Sequence, residues 1–159
     1  MVGLQYATFL EKLGEQLEGI VNYDFWVPEP TLQFPGIQEF LSKYQEYAVD
    51  AGVDPLGYYL PPYAYAYLQI LGQAITQTES IDEEILADHI RSNKFSTVVG
   101  NVAFGPDGEW KKSRILMVQF QNIVGRNLQQ FTKPGTRVVL YPPEWASGKP
   151  QYPFKGGNN

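Results

Sequence analysis

The chain has 159 residues, of which 43% are hydrophobic and 18% charged, a composition typical of one globular domain rather than a disordered segment. It contains no cysteine and one histidine, which excludes disulfides, thiolate nucleophiles, cysteine-based zinc sites and two-histidine metal motifs. The net charge of −5 argues against a nucleic-acid partner, because phosphate binding needs clustered lysine and arginine.

The chain begins with a predicted helix, a strand and a connector. Apolar residues recur at helical spacing within residues 4–17, and Gly14 or Gly19 would end this helix. The sequence of residues 19–26, GIVNYDFW, predicts a strand. Residues 27–35 include three prolines, which favour an extended connector over regular structure.

Two helices are predicted next. Residues 36–51 show the clearest amphipathic pattern, with Gly52 at the helix end and an apolar face made by Ile37, Phe40, Leu41, Tyr44 and Ala48. Residues 54–79 carry no charge between their two ends. Because prolines are tolerated in a first turn, Pro61 and Pro62 would open a buried core helix that runs to about Thr78.

A third helix and three strands complete the predicted order. Ser80 and Glu83 match a capping box, which predicts a helix ending near Ser92. Residues 97–104 and 115–121 are strand-like, and turn residues at 105–108 predict that they form a hairpin. A last short strand is expected at 137–140, before a tail rich in proline and glycine. This order is not a regular βαβ alternation, which indicates part of a larger α/β fold.

Three sequence runs resemble the C-terminal part of type I solute-binding proteins of ABC transporters, in particular the leucine and branched-chain amino acid class. They are GYYLPPYAYAYLQILGQAI, KFSTVVGNVAFGPDGEWKKSRILMVQFQN and VVLYPPEW, in this order. The resemblance implies an α/β chain with a partial type I periplasmic-binding-protein-like fold, made of three-layer α/β lobes with incomplete sheets. It places residues 1–27 at the end of the second lobe, 28–112 in the helical and hairpin part of the first lobe, and 113–159 in a return to the second lobe. The chain would then act as one truncated module.

The resemblance also implies a function. Complete members capture an amino acid, amide or aromatic acid by lobe closure and present it to a membrane permease in the periplasm, without an enzymatic step or a cofactor. The N-terminal residues of this chain do not show the pattern of a signal peptide. We expect weak or absent solute binding by a truncated chain, and self-association through faces that the missing strands would cover.

Three aromatic residues are the candidate ligand contacts. In the leucine-binding type, an aromatic residue just ahead of a cleft helix lines the ligand site, and this position matches Tyr58, with Tyr59 next to it. Trp26, at a strand end before the prolines, would face the cleft at a hinge. The alternative for all three is ordinary packing. His89 lies on a helix rich in acids, and surface roles are expected for both, so no catalytic or metal-binding residue is predicted.

Two other functions remain open from the sequence. The first is a free-standing protein- or carbohydrate-interaction domain that uses the 11 tyrosines of the chain as a binding platform. The second is a ligand-sensing domain of the same fold attached to a signalling receptor.

Overall fold

The computed structural model describes residues 3–112 and 114–154. Within them, the helices are α1 (Ala7–Leu13), α2 (Ile37–Ala48), α3 (Pro61–Thr78) and α4 (Glu83–Ser92). The strands are β1 (Val21–Asp24), β2 (Lys94–Thr97), β3 (Gly100–Ala103), β4 (Leu116–Phe120) and β5 (Arg137–Tyr141). Short 3₁₀ helices occupy Gly14–Leu17, Pro30–Leu32, Leu128–Thr132 and Pro143–Trp145. The order of helices agrees with the prediction, but there is one more strand.

The chain forms two compact units. Unit 1 consists of Met1–Gln33, Leu41–Tyr59 and Ile115–Asn159, and unit 2 of Phe34–Phe40 and Leu60–Arg114. The assignment of residues 1–27, 28–112 and 113–159 to lobes stays a prediction, and residue 113 lies outside the described residues.

Unit 1 contains an antiparallel sheet with the strand order β1-β4-β5. Asp24 of β1 pairs with Leu116 of β4, and Phe120 of β4 pairs with Arg137 of β5. Apolar side chains from several elements form the core of this unit: Leu10, Leu17, Trp26, Leu116, Val118, Phe120, Phe131 and Val139 are all buried.

Unit 2 contains α3, α4 and a two-stranded sheet. Strands β2 and β3 pair antiparallel, with Thr97 opposite Gly100. Two glutamines of α3 hold this sheet. The Gln69 side chain accepts a hydrogen bond from the Val98 backbone N–H at 2.9 Å, and Gln73 donates to the Ser96 carbonyl at 2.9 Å.

The predicted hairpin between residues 97–104 and 115–121 is wrong. The partner of β3 is β2, whereas β4 pairs with β1 and β5 in the other sheet. The turn residues at 105–108 do form a turn, closed by a hydrogen bond from the Gly105 N–H to the Glu109 carbonyl at 2.8 Å and by a single bridge between Phe104 and Trp110. Turn chemistry predicted the bend correctly but did not identify the strands that it connects.

The prediction that α3 is a buried core helix is also wrong. The helix begins at the prolines as expected, but its buried residues are Pro62, Ala66, Ile70 and Ala74, spaced by four. Tyr67 and Leu68 are 66% and 61% exposed. The helix therefore buries a narrow stripe of mostly small residues and leaves large apolar side chains exposed.

The N-cap of α4 is Asp82 rather than the predicted Ser80. Asp82 accepts hydrogen bonds from the backbone N–H groups of Glu84 and Ile85 through one carboxylate oxygen. Ser80 instead accepts a hydrogen bond from the Asp82 N–H at 3.0 Å, so it supports the cap from outside the helix.

None of the helices in the described part of the chain combines the length and apolar character needed to cross a membrane.

Candidate functional site

Four aromatic rings of unit 1 form a continuous cluster. Tyr59 lies at its centre, with ring centroids 5.3 Å from Tyr6 and 5.3 Å from Phe25. Phe25 in turn lies 6.0 Å from Tyr23. All three pairs meet edge to face, the arrangement that aromatic quadrupoles favour. Each ring is half-buried, so the cluster keeps accessible aromatic surface. We call Tyr6, Tyr23, Phe25 and Tyr59 the aromatic cluster.

Tyr23 of β1 and Phe25, which directly follows this strand, point to the same side because side chains alternate along an extended backbone. Tyr23 and Phe25 are half-buried, whereas Asn22, Asp24 and Trp26 between and beside them are buried. The polar residues Asn22 and Asp24 therefore lie inside together with Trp26, whereas Tyr23 and Phe25 lie on the accessible side. Tyr6 joins the cluster from the N-cap position of α1.

The segment before Tyr59 is held by Asp54. One oxygen of its carboxylate accepts hydrogen bonds from the backbone N–H groups of Leu56, at 2.9 Å, and Gly57, at 3.3 Å. The other oxygen accepts from the Ala7 N–H at 2.8 Å, at the first turn of α1. Asp54 therefore fixes the segment that carries Tyr59 and the helix start that carries Tyr6 to each other.

Gly57 is required at its position for two reasons. Its φ is 67°, in the left-handed region that residues with a Cβ atom disfavour. A Cβ atom there would also lie 2.3 Å from the Tyr44 ring. The sequence Gly57-Tyr58-Tyr59 thus folds as a tight corner that sends its two tyrosines in different directions.

Tyr58 and Trp26 pack together rather than joining the aromatic cluster. Their ring centroids are 4.9 Å apart, and they are 4% and 1% exposed. The Trp26 indole N–H donates to the Leu32 carbonyl at 3.0 Å. The structure thus brings the three candidate residues into one unit, with Tyr59 accessible and the other two buried. A ligand contact by any of them stays a prediction.

A buried ion pair lies next to Tyr58. Arg137 Nη1 donates to Asp24 Oδ2 at 3.2 Å, and both side chains are almost fully removed from solvent. Arg137 Nη2 donates to the Phe131 carbonyl at 3.2 Å, and the guanidinium lies 5.0 Å from the centroid of the Tyr58 ring. Burial raises the pKa of Asp24 from 3.8 to about 6, although Arg137 acts in the opposite direction.

The central tyrosine of the aromatic cluster, Tyr59, has a raised pKa. Burial, and next the neighbouring hydroxyls of Tyr23 and Tyr6, raise the pKa of Tyr59 above its ordinary value. Tyr59 therefore keeps its proton and offers a ring face, a ring edge and a hydroxyl group. Such a surface suits stacking and hydrogen bonding to a small ligand, and it lacks the positioned nucleophile and base that bond cleavage requires.

The sequence reasoning missed Tyr6, Tyr23 and Phe25. The alternation of aromatic residues with Asn22 and Asp24 along residues 22–25 was the available signal, but a single strand does not reveal which face is buried. His89, predicted at the surface, is half-buried on α4 and its Nε2 lies 2.7 Å from the Gln77 side-chain oxygen. Within residues 3–112 and 114–154, no group of three or more histidine, aspartate or glutamate side chains is placed to hold a metal ion.

Comparison with known proteins identifies the fold. No protein-family profile and no curated protein sequence matches the chain. Among solved structures, a leucine-binding protein, LivK, from Thermotoga maritima is 23% identical, with a TM-score of 0.54 over 73% of this chain and 31% of that one. A periplasmic binding protein from Burkholderia mallei is 14% identical, with a TM-score of 0.60 over 86% of this chain and 33% of that one.

A third similar structure adds a closed form. It is a leucine-, isoleucine-, valine-, threonine- and alanine-binding protein from Brucella ovis in the closed conformation, 18% identical, with a TM-score of 0.55 over 83% of this chain and 32% of that one. The chain spans about a third of the length of these structures. It has the fold of part of a type I periplasmic binding protein, which confirms the predicted partial α/β fold. The matched structures are of proteins that are named for binding.

Proposed function

We propose that the chain is a solute-binding component of an ABC importer, forming the C-terminal portion of the binding fold. Its solute would be a branched-chain amino acid or a related amide or aromatic acid, delivered to a membrane permease in the periplasm. The fold of its structural neighbours supports the solute-binding role, and the solute class extends what two of those neighbours are named for binding.

The observation that carries the proposal is the half-buried aromatic cluster. An apolar solute side chain can stack on Tyr59 while the tyrosine hydroxyls are available to its polar groups. Of the candidate contacts Tyr58, Tyr59 and Trp26, Tyr59 has the accessible ring, so we assign direct contact to it. Trp26 and Tyr58 would then support the cluster from the buried side.

The expected affinity is low. An aromatic contact contributes about 0.5–1.5 kcal/mol beyond burial of area, so two or three such contacts supply about 1–4.5 kcal/mol beyond that burial. The upper end of this range corresponds to a dissociation constant of roughly 1 mM, whereas micromolar binding needs about 8 kcal/mol. The expected millimolar affinity agrees with weak binding by a chain that lacks the remaining contacts.

Isothermal titration calorimetry of the full chain with L-leucine, L-phenylalanine, isobutyramide and D-glucose tests the proposal. We expect weak binding of the amino acids or the amide and no heat of binding with D-glucose. Binding of D-glucose alone would favour the carbohydrate-interaction alternative. Micromolar binding of L-leucine would contradict the truncated-module interpretation, because the chain would then hold a complete site.

A second candidate function is a protein-interaction surface on unit 2. The exposure of α3 favours it, because Leu60, Tyr65, Tyr67 and Leu68 all present exposed side chains. Large exposed apolar patches are rare on proteins that act alone. The predicted self-association would use the same surface, and nothing in the comparisons supports it.

A further inference from the structure

The buried pair of Asp24 and Arg137 is joined to the aromatic cluster on two sides. Asp24 lies between Tyr23 and Phe25 in the sequence, so the backbone that orients its carboxylate also orients two cluster rings. The Asp24 Oδ1 atom accepts a hydrogen bond from the Phe25 N–H at 2.8 Å. The Asp24 carboxylate is therefore bonded to the backbone of a cluster residue.

The second connection runs through Arg137. Its guanidinium stacks over Tyr58, which precedes Tyr59, the central ring of the cluster. Arg137 comes from β5 and reaches Asp24 on β1, although β4 separates these strands in the sheet. The pair thus ties together the sheet, the β1 backbone and the corner that carries Tyr59.

One hydrogen-bond donor of the pair has no acceptor. Arg137 Nε is buried and has no hydrogen-bond partner among the described residues, and the same is true of Asn22 Nδ2 in the neighbouring strand β1. A buried donor without an acceptor costs free energy, and its side chain is fixed by fewer hydrogen bonds than it can form. When Asp24 takes up a proton, Arg137 keeps the Phe131 carbonyl and the Tyr58 face but loses its counter-charge. Loss of this counter-charge weakens the contacts that hold the guanidinium, so we expect it to shift.

We propose that Asp24 and Arg137 are positioning residues for the aromatic cluster, and that protonation of Asp24 rearranges the cluster and changes its affinity for solute. The effect on affinity rests on the proposed function, whereas the rearrangement does not. The ionisable groups that face Asp24 are Arg137 from β5 and Tyr59 from the corner, and Tyr58 next to them is acted on by Arg137 and Asp54. Asp24 itself has a raised pKa that lies in the mildly acidic range.

Nuclear magnetic resonance of the full chain, followed from about pH 4.5 to about pH 7.5, tests the rearrangement. The carboxyl carbon of Asp24 and the ring signals of Tyr59, Tyr6 and Tyr23 are measured together in the wild-type protein. We expect the ring signals to shift with the same midpoint as Asp24. Ring signals that stay constant while Asp24 titrates would overturn the proposal.

Two variants sharpen the test. Asp24→Asn should abolish the pH-dependent ring shifts, and Asp88→Asn, which removes an exposed carboxylate of α4, should leave them unchanged. Ring shifts that persist in a folded Asp24→Asn protein would also overturn the proposal. If Asp24→Asn does not fold, the agreement or disagreement of midpoints in the wild-type protein decides the question.

A separate measurement tests the effect of Asp24 on the affinity for solute. Titrations with L-leucine and L-phenylalanine at about pH 5 and about pH 7.5 should give dissociation constants that differ at least about threefold, with the difference lost in Asp24→Asn. Equal affinities at the two pH values would reject the proposed control of affinity. If neither amino acid binds at either pH, the proposed function fails for these solutes and so does the control of affinity, whereas the ring titration still decides whether Asp24 positions the cluster.

Discussion

Tyr59 connects the two halves of the aromatic cluster, since Tyr6 and Phe25 contact it from different elements. We predict that Tyr59→Ala weakens solute binding by about 3- to 10-fold, the equivalent of losing one aromatic contact. Tyr59→Phe should retain most of the affinity, because the ring remains. The measurement is a ligand titration followed by nuclear magnetic resonance, which detects millimolar binding.

The matched control for Tyr59 is Tyr65, which lies on α3 and packs against Phe40 with a centroid distance of 4.8 Å. Tyr65→Ala removes the same side chain from unit 2 and should leave the dissociation constant unchanged. Equal losses in the two alanine variants would show that the aromatic cluster is not the site of binding.

Gly57 gives a prediction about the stability of the folded protein. We expect Gly57→Ala to lower the free energy of unfolding by about 3 kcal/mol or more, because it adds a steric conflict with Tyr44 to an unfavourable φ. Gly52 also has a positive φ, of 66°, but nothing lies within 4 Å of the position of its Cβ atom. Gly52→Ala should therefore cost about 1 kcal/mol. Similar costs in urea unfolding would contradict the crowded corner at Gly57.

Single residues were only partly predictable from the sequence. Tyr58 and Tyr59 were identified together, but adjacent residues at a corner point in different directions, and sequence alone does not show which one stays accessible. Asp24 was missed because an isolated acid in a strand resembles a solvent-exposed residue. Its partner, Arg137, is separated from it by 113 positions, and such a distant pair has no local signal.

The cap of α4 allows a prediction for an element. Asp82→Ala should destabilise this helix by about 1 kcal/mol, because two backbone N–H groups lose their acceptor. Ser80→Ala removes one outer hydrogen bond and should cost less. Hydrogen exchange of the α4 amides reports both effects locally. A larger loss of protection in Ser80→Ala would favour the capping box that the sequence predicted.

Helix boundaries could largely be predicted from hydrophobic periodicity and from the residues at helix ends, whereas strand pairing could not. The limits of α3 agree with the prediction because proline acts locally at a helix start, whereas α2 ends at Ala48, before the predicted end at Gly52. The partner of β4 depends on β1, about a hundred residues earlier in the chain, as the pairing of Val21 with Gln119 shows. Long-range pairing of this kind leaves no pattern within either strand.

The exposed face of α3 was also not predictable from the sequence. Tyr67 and Leu68 are apolar and lie in an uncharged segment, so they appeared to belong to the core. The helix instead buries Ala66 and Ala74. Small residues permit close packing, but hydrophobicity alone ranks them below their larger neighbours.

For the molecule as a whole, Asp24 predicts how stability depends on pH. Its pKa is raised from 3.8 to about 6 in the folded state, so the folded protein binds this proton more tightly than the unfolded chain. The resulting stabilisation is complete below pH 3.8 and is lost as the pH rises to about 6. We expect the free energy of unfolding of the wild-type protein to fall by about 1–3 kcal/mol relative to Asp24→Asn across this window.

Urea unfolding at several pH values, with both proteins measured side by side, checks this difference. Subtracting the Asp24→Asn curve removes the contributions of the other carboxylates, because they are shared. A difference that grows in favour of the wild-type protein as the pH rises would mean that Arg137 outweighs burial and that the sign is reversed.

The fold of the molecule was predictable because three sequence runs appear in the order found in type I periplasmic binding proteins. The residues that would complete a solute site could not be predicted, because the chain spans about a third of the length of its structural neighbours. The central claim is therefore that the accessible aromatic cluster of unit 1 contacts the solute.

The most direct test of this claim is a titration of the chain, labelled with ¹³C on its aromatic rings, with L-leucine and L-phenylalanine. The account predicts shifts that saturate in the millimolar range and are largest at Tyr59, followed by Tyr6, Tyr23 and Phe25. Saturable shifts concentrated on Tyr65 and Tyr67 of α3, with the cluster rings unchanged, would contradict it.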